Sequence, residues 1–540
     1  MERGEGGGDG DAVRRSVPVM SSDEDDWSDE GFGMSSDEGD WSDEEDGISS
    51  DEVDGSDEEV EESLHRASKR GHAESVRVLL GNRDAPGVDV NLEEGGRTPL
   101  HWAIMGGHAE VVKLLLAAPG INVNLEDNDY ETPLHHASYK GHSEIVKLLL
   151  AMPGIDVNWA EYDGQTPLHG ASFQGHPEVV KLLLTVPGID VNRANRHRHT
   201  PLWVASCDGH SDVVKLLLSM PGIRVNLAAT HGDTPLLRAS REGRTEVVKL
   251  LLAVPGIDVN RADEKGGSPL SWASEGGHAE VMKLLLAAPG IDVNLVDNDY
   301  QTPLHHASYK GHSEIVKLLL AAPGIDVNQA SMDGKTPLHY ASFMGRTEVV
   351  KLLLGAPRID VNRASNCGRT ALYWASGGDN TRVMRLLLRV PGIDVNRANE
   401  DGTTPLSTAS QYGHCKAVKL LLGTPGIDVN QADKDGWRPL FWASRHGHTD
   451  VVELLLVSPG IHVLQTDKEG RSAMDFADNS DVAPLLAGVV DVKRTFGGLL
   501  LTFAHRGISW DVAADLAMHG LPNEYAKGMA VHMRDTWPAA

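Results

Sequence analysis

Between Thr98 and Asn124 apolar and polar positions alternate with helical period in two short bursts. Leu100 and the small Ala103 lie behind Thr98-Pro99, and Val111, Leu114 and Leu115 follow at i, i+3 and i+4 behind Glu110. The first burst predicts a short helix with Thr98 as N-cap and Pro99 at its first position, where a missing N–H costs nothing. The second predicts an amphipathic helix with one apolar stripe and an acid at the end that the helix dipole favours. Gly106-Gly107 separates the two, and Pro119-Gly120 stops the second. An extended run, Ile121-Asn122-Val123-Asn124, then leads to Thr132, where the pattern starts again.

The restart is periodic. The Thr-Pro-Leu-His-like tetrad begins at Thr98, Thr132, Thr166, Thr200, Thr234, Ser268, Thr302, Thr336, Thr370, Thr404, Arg438 and Ser472, always 34 residues apart. A fixed period of this length predicts stacked copies of one supersecondary unit. A single unit offers too few large apolar side chains to offset the entropy of ordering its own residues, so each needs neighbours on both faces.

The run from Asp163-Gly164-Gln165-Thr166-Pro167-Leu168-His169 through Gly175-His176 to Leu184 closely resembles the ankyrin repeat. The resemblance spans residues 63–486, with an added proline in the Pro-Gly-Ile-Asp-Val-Asn loop (Pro153 to Asn158). It implies an all-α solenoid of helix-turn-helix units with β-hairpin fingers and a concave face that holds protein partners. Ser63-Leu64-His65-Arg66-Ala67, with Val76, Leu79 and Leu80 downstream, reads as an N-terminal cap. Ser472-Ala473-Met474-Asp475 with Asp481 to Leu486 reads as the opposite cap, giving about thirteen units in all.

A longer repeat lies over the short one. Asn124 to Ala151 recurs almost letter for letter as Asn294 to Ala321, five units on, and Gly107 to Gly120 matches Gly277 to Gly290. The copy is either a record of duplication alone or two similar binding surfaces on one scaffold.

Charge divides the chain differently. Residues 1–62 hold 25 acidic residues against 3 basic ones, a net −22 of the total −29, which leaves −7 for the rest. Ser-Ser-Asp-Glu recurs there from Ser21, Ser35 and Ser49, with Trp27 and Trp41 at matching places. With so little apolar surface this tail is expected to be disordered. Ser21, Ser22, Ser35, Ser42, Ser49 and Ser56, each with an acid three residues on, resemble acceptor sites of acidophilic kinases of the casein kinase II type. The tail either solubilises the array or meets a basic partner; nucleic acid needs a cationic face and is not expected. The helical-looking segment 487–540 either covers the end of the stack or forms a docking box. Its Leu521-Pro522-Asn523-Glu524 faintly resembles an F-box.

No apolar run is long enough to span a membrane, no leader peptide is read at the start, and three cysteines at unrelated repeat positions indicate neither a disulfide framework nor a zinc site. An intracellular, cytoplasmic or nuclear, monomeric protein is expected. Phosphate-loop, His-Glu-x-x-His, Gly-x-Ser-x-Gly and Cys-x-x-Cys motifs are missing, so neither an enzyme nor a cofactor is expected. The histidines recur in two template slots, the tetrad and the Gly-His turn, which reads as hydrogen bonding between units. Arg196-His197-Arg198-His199 makes a local basic spot for an acidic partner or for the chain's own tail.

Partner contacts are expected where the template varies. In the fingers and ahead of the Gly-His turn stand Met105, Tyr139, Tyr162, Phe173, Tyr309, Phe343, Met344, Tyr412 and Trp437; behind the tetrad stand Trp102, Trp272, Tyr340, Trp374 and Trp442. Aromatic side chains bury much area for little entropy, and some of this set packs between units instead. The function expected is a protein-interaction scaffold or adaptor. The alternative is a ubiquitin-ligase substrate receptor recruited through 487–540.

Overall fold

The computed structural model describes residues 63–81, 89–477 and 481–488. The acidic tail with its six serines, and the segment beyond 488, lie outside the described residues, as does the disorder expected of the tail.

Each unit is a pair of antiparallel helices of about two turns. In the Thr98 unit the first helix, Pro99–Met105, opens on a reciprocal cap. The His101 N–H donates to Thr98 Oγ1 at 3.4 Å, and the Thr98 N–H donates to His101 Nδ1 at 3.2 Å. Histidine thus takes the role that Glu or Gln usually plays three residues into a helix. The second helix, Ala109–Leu116, starts after Gly107, whose φ of +70° is the left-handed turn that glycine adopts without penalty.

First helices stack on first helices and second on second. Pro99–Met105 packs on Pro133–Tyr139, which packs on Pro167–Phe173, while Ala109–Leu116, Ser143–Leu150 and Pro177–Leu184 form the parallel row. The core runs along the stack through Leu100, Ala103, Ile104, Val111, Val112 and Leu115 and their equivalents. The stripe read from the sequence placed Leu114 in this row, but Leu114 is half-buried and Val112 is buried. Each second helix touches its own first helix and second helices on both sides, so its buried arc is turned toward Val112.

The fingers are turns without strands among the described residues. Glu94 with Arg97 and Thr466 with Ser472 form isolated bridges. Too few residues flank each tip for a ladder. Asp127 N–H donates to Glu131 O, Tyr130 N–H donates to Asp127 O, and the tips are linked sideways instead, as from Arg196 N–H to Asp163 O at 2.8 Å and from Thr230 N–H to His197 O at 3.1 Å.

A third seam runs along the Pro-Gly loops. Asn260 Nδ2 donates to Gly290 O at 2.7 Å, and its Oδ1 accepts from Asp292 N–H at 2.9 Å. The same pair of bonds recurs from Asn124 (to Gly154 and Asp156) to Asn430 (to Gly460 and His462). Asn260→Ala removes both bonds across one seam and is expected to lower unfolding free energy by about 1–2 kcal/mol. A urea midpoint equal to that of the parent would show that water replaces the pair.

Before the array proper, Leu64–Arg70 is capped by Ser63 and followed by Ala73–Gly81, with Val76 buried. At the other end Ala473–Phe476 is a single 3-10 turn, and residues 482–488 are helical with Val482 and Leu486 buried.

Candidate protein-interaction face

The histidines are structural ties. His101, His135, His169, His305 and His339 each place Nδ1 on the N-cap threonine and Nε2 against a carbonyl 30 residues on, such as Gln165 O at 3.1 Å from His135. Burial drives the pKa of His101, His135, His169 and His339 down to about 4 and that of His305 to about 3. The turn histidines reach backward instead, except His142, whose Nε2 is buried without a partner. His176 Nε2 lies 3.0 Å from Tyr139 O, with its ring where a Cβ on Gly141 would stand. Arg244, Arg346 and Asn380 fill the same slot with their own donors, to Cys207 O, Tyr309 O and Phe343 O.

Asp127, Glu131 and His136 are close enough to be weighed as a metal site. The two carboxylates face opposite nitrogens of the ring, Asp127 Oδ2 at 2.9 Å from Nε2 and Glu131 Oε2 at 3.4 Å from Nδ1. Arg97 Nε adds its positive charge 3.2 Å from the same Asp127 oxygen. Each carboxylate is thus met by a ring nitrogen, and with the Arg97–Asp127 ion pair the group forms a latch between finger and helix. Burial would raise the Asp127 pKa, but the hydrogen bond and charge of His136 and the backbone donors hold it well below the ordinary carboxylate range.

The same latch appears with other partners. A finger carboxylate five residues ahead of the tetrad accepts backbone N–H groups on Oδ1 and turns Oδ2 to the side chain just behind the tetrad. Asp297 meets His306 at 2.9 Å, Asp263 meets Trp272 Nε1 at 2.7 Å, and Asp433 meets Trp442 Nε1 at 3.2 Å. Trp272 and Trp442 thus brace their own fingers. Trp437 packs between Trp442 and Phe476, with ring centroids 4.7 and 4.5 Å away.

The remaining variable positions stand on or just after first helices and in fingers. Tyr139 is exposed and stacks on Phe173 at 6.3 Å; Tyr309 meets Tyr340 at 6.1 Å, and Phe343 meets Trp374 at 5.3 Å. Trp102 lies under Lys69 and Arg97, Tyr162 is exposed beneath Arg196, and Tyr412 is exposed near His414. Met105 and Met344 are half-buried.

Sequence reasoning passed over Tyr130 and Tyr300. Both sit at finger tips with φ of +64° and +59°, where the other fingers carry glycine apart from Arg198, and they are 53% and 55% exposed. A tyrosine held in the left-handed region costs roughly 1–2 kcal/mol. The visible signal was the tyrosine standing where Asp-Gly is usual.

Family comparison agrees with this geometry. Models of ankyrin repeats in sets of three match residues 48–127, 119–195, 189–263, 270–365 and 357–433, and a single-repeat model matches 435–468. The chain belongs to the ankyrin-repeat family. Among curated relatives, the ankyrin array is similar to osteoclast-stimulating factor 1 of Xenopus laevis, 44% identical over 66 residues. The match covers 12% of this chain and 29% of that protein. The Bos taurus and Rattus norvegicus proteins of the same name are 41% and 40% identical over the same length and shares. The similarity thus spans less than a third of those relatives. Ankyrin arrays are protein-interaction modules, and no described helix here is long and apolar enough to cross a membrane.

Proposed function

We propose that this chain is a non-enzymatic scaffold or adaptor that grips partner proteins on the surface formed by its first helices and fingers. The observation that carries the reading is the half-exposed aromatic line Tyr130, Tyr139 and Phe173, repeated five units on as Tyr300, Tyr309 and Phe343. Aromatic side chains kept accessible beside a fully built core, two of them at a backbone cost, fit hot spots better than packing. Cys207 is half-buried, and desolvation outweighs the hydrogen bond from Arg238 Nε to raise its thiol pKa, which disfavours the nucleophilic thiolate.

Replacing Tyr139, Phe173, Tyr309 and Phe343 together by alanine is expected to cut retention of partner proteins at least about tenfold. Helical circular dichroism should stay at the parent level. Undiminished capture by the folded variant would place recognition elsewhere.

A further inference from the structure

The Thr370 unit lacks half of the finger latch. Its tryptophan, Trp374, occupies the same slot as Trp272 and Trp442, but the finger position that holds Asp263 and Asp433 in those units holds Ser365. Ser365 Oγ reproduces one carboxylate oxygen by accepting from Arg369 N–H at 3.3 Å. It has no second oxygen. Trp374 Nε1 is consequently buried without an acceptor, in a side chain only 9% exposed.

A second donor is orphaned beside it. Arg369 lies across the indole with its guanidinium carbon 5.2 Å from the Trp374 ring, and its Nε is buried without a partner. Arg369 forms no ion pair among the described residues. An unpaired buried donor costs about 1–3 kcal/mol, and here two converge. The preceding finger also lacks the acid, with Ser331 in the slot, and its Lys335 reaches to 5.4 Å from the same indole. Lys335 Nζ pairs at 3.2 Å with Asp333, whose side chain is largely exposed.

We propose that this junction takes a carboxylate from an acidic segment of a partner protein, in the place that Asp263 and Asp433 fill within their own units. The inference rests on the reading of this surface as the partner-binding face. Turning the Arg369 guanidinium outward onto the incoming carboxylate uncovers Trp374 Nε1 as the further donor. Phe343, edge-on to Trp374, supplies apolar area next to the charge, and a neighbouring acid would compete with the exposed Asp333 for Lys335. The chemistry selects a peptide with Asp or Glu on either side of an aromatic residue. The copied surface five units earlier has His199, Val204 and Gln165 at the places of Arg369, Trp374 and Lys335, so it does not share the preference.

The test presents the full chain to immobilised peptides of four compositions: acidic with aromatic, basic with aromatic, neutral with aromatic, and acidic without aromatic. Retention on the first class is expected to exceed the others and to fall with salt. Ser365→Asp supplies the missing carboxylate internally, so it should raise the thermal midpoint while weakening retention about tenfold. Arg369→His, the residue of the earlier copy, should weaken retention similarly without loss of helix. Acidic peptides held equally by the parent and both variants would overturn the proposal. Preference for basic or neutral peptides, lost on Tyr139→Ala with Phe173→Ala, would overturn it while sparing the general reading. Retention of no class would remove both.

Discussion

Lowering the pH from 7 to 5 should destabilise the array by about 2 kcal/mol for each buried tetrad histidine, the largest effect of solution conditions expected for this fold. His101, His135, His169 and His339 have folded pKa values of about 4 and His305 of about 3, against an ordinary 6.5. A folded value below the unfolded one means that the unfolded chain binds more protons between them. Stability is therefore complete above about 6.5 and is lost progressively as the pH falls toward 4. Burial raises the carboxyl pKa of Glu131, Asp208, Asp233, Asp263 and Asp433, so their protonation on folding works against this loss as the pH falls. Asp127, whose folded pKa lies below the carboxylate range, begins to lose its contribution only below the pKa of an unfolded aspartate. The loss should be patchy, because the tetrad slot holds Leu237 in the Thr234 unit and Ser271 in the Ser268 unit. Hydrogen exchange at pH 5 should open the units from Thr98 to Thr166, and those at Thr302 and Thr336, ahead of the Thr234 and Ser268 units. Uniform protection between pH 7 and pH 5 would mean that the buried histidines accept protons without leaving their sites.

The histidine ties were legible because a residue that returns to one slot of a template is answering one local geometry. Thr98, Pro99 and Gly107 were legible for the same reason. The asparagine seam was not, although Asn124 to Asn430 recur as faithfully, since nothing in the residue type says whether a loop asparagine faces water or a neighbour. Leu114 and Val112 were exchanged because one amphipathic stripe describes a helix packed on one side, whereas these helices are packed on three. The candidate face divides along similar lines. Tyr139, Tyr162 and Tyr412, in a finger or ahead of the Gly-His turn, are exposed, while Trp272 and Trp442, behind the tetrad, spend their N–H groups on an aspartate nine residues upstream in their own fingers. Once that rule is known, Ser365 ahead of Trp374 reads as an anomaly from sequence alone.

Phe441→Ala should be the most damaging single truncation in the last units, costing about 3–5 kcal/mol. Phe441 heads the largest fully buried side chains and stands in the tetrad slot that elsewhere ties units through histidine. The ordinary cap is missing there too, since Arg438 replaces the threonine and makes no capping bond to the helix Pro439–Arg445. Packing substitutes for hydrogen bonding: Phe441 lies 5.9 Å from Phe476, which in turn meets Trp437 at 4.5 Å. Removing the ring leaves a cavity that this end of the stack fills poorly, because the 3-10 turn Ala473–Phe476 is all the first helix that the next unit offers. In a stack held by nearest neighbours, the damage should stay local. Exchange protection should fall across residues 439–488, and the emission of Trp437 and Trp442 should shift toward that of exposed indole. The units from Thr98 to Thr336 should keep parental protection. Equal loss of protection along the whole array would show instead that the units unfold as one block, and that the seams between them are stronger than the units they join.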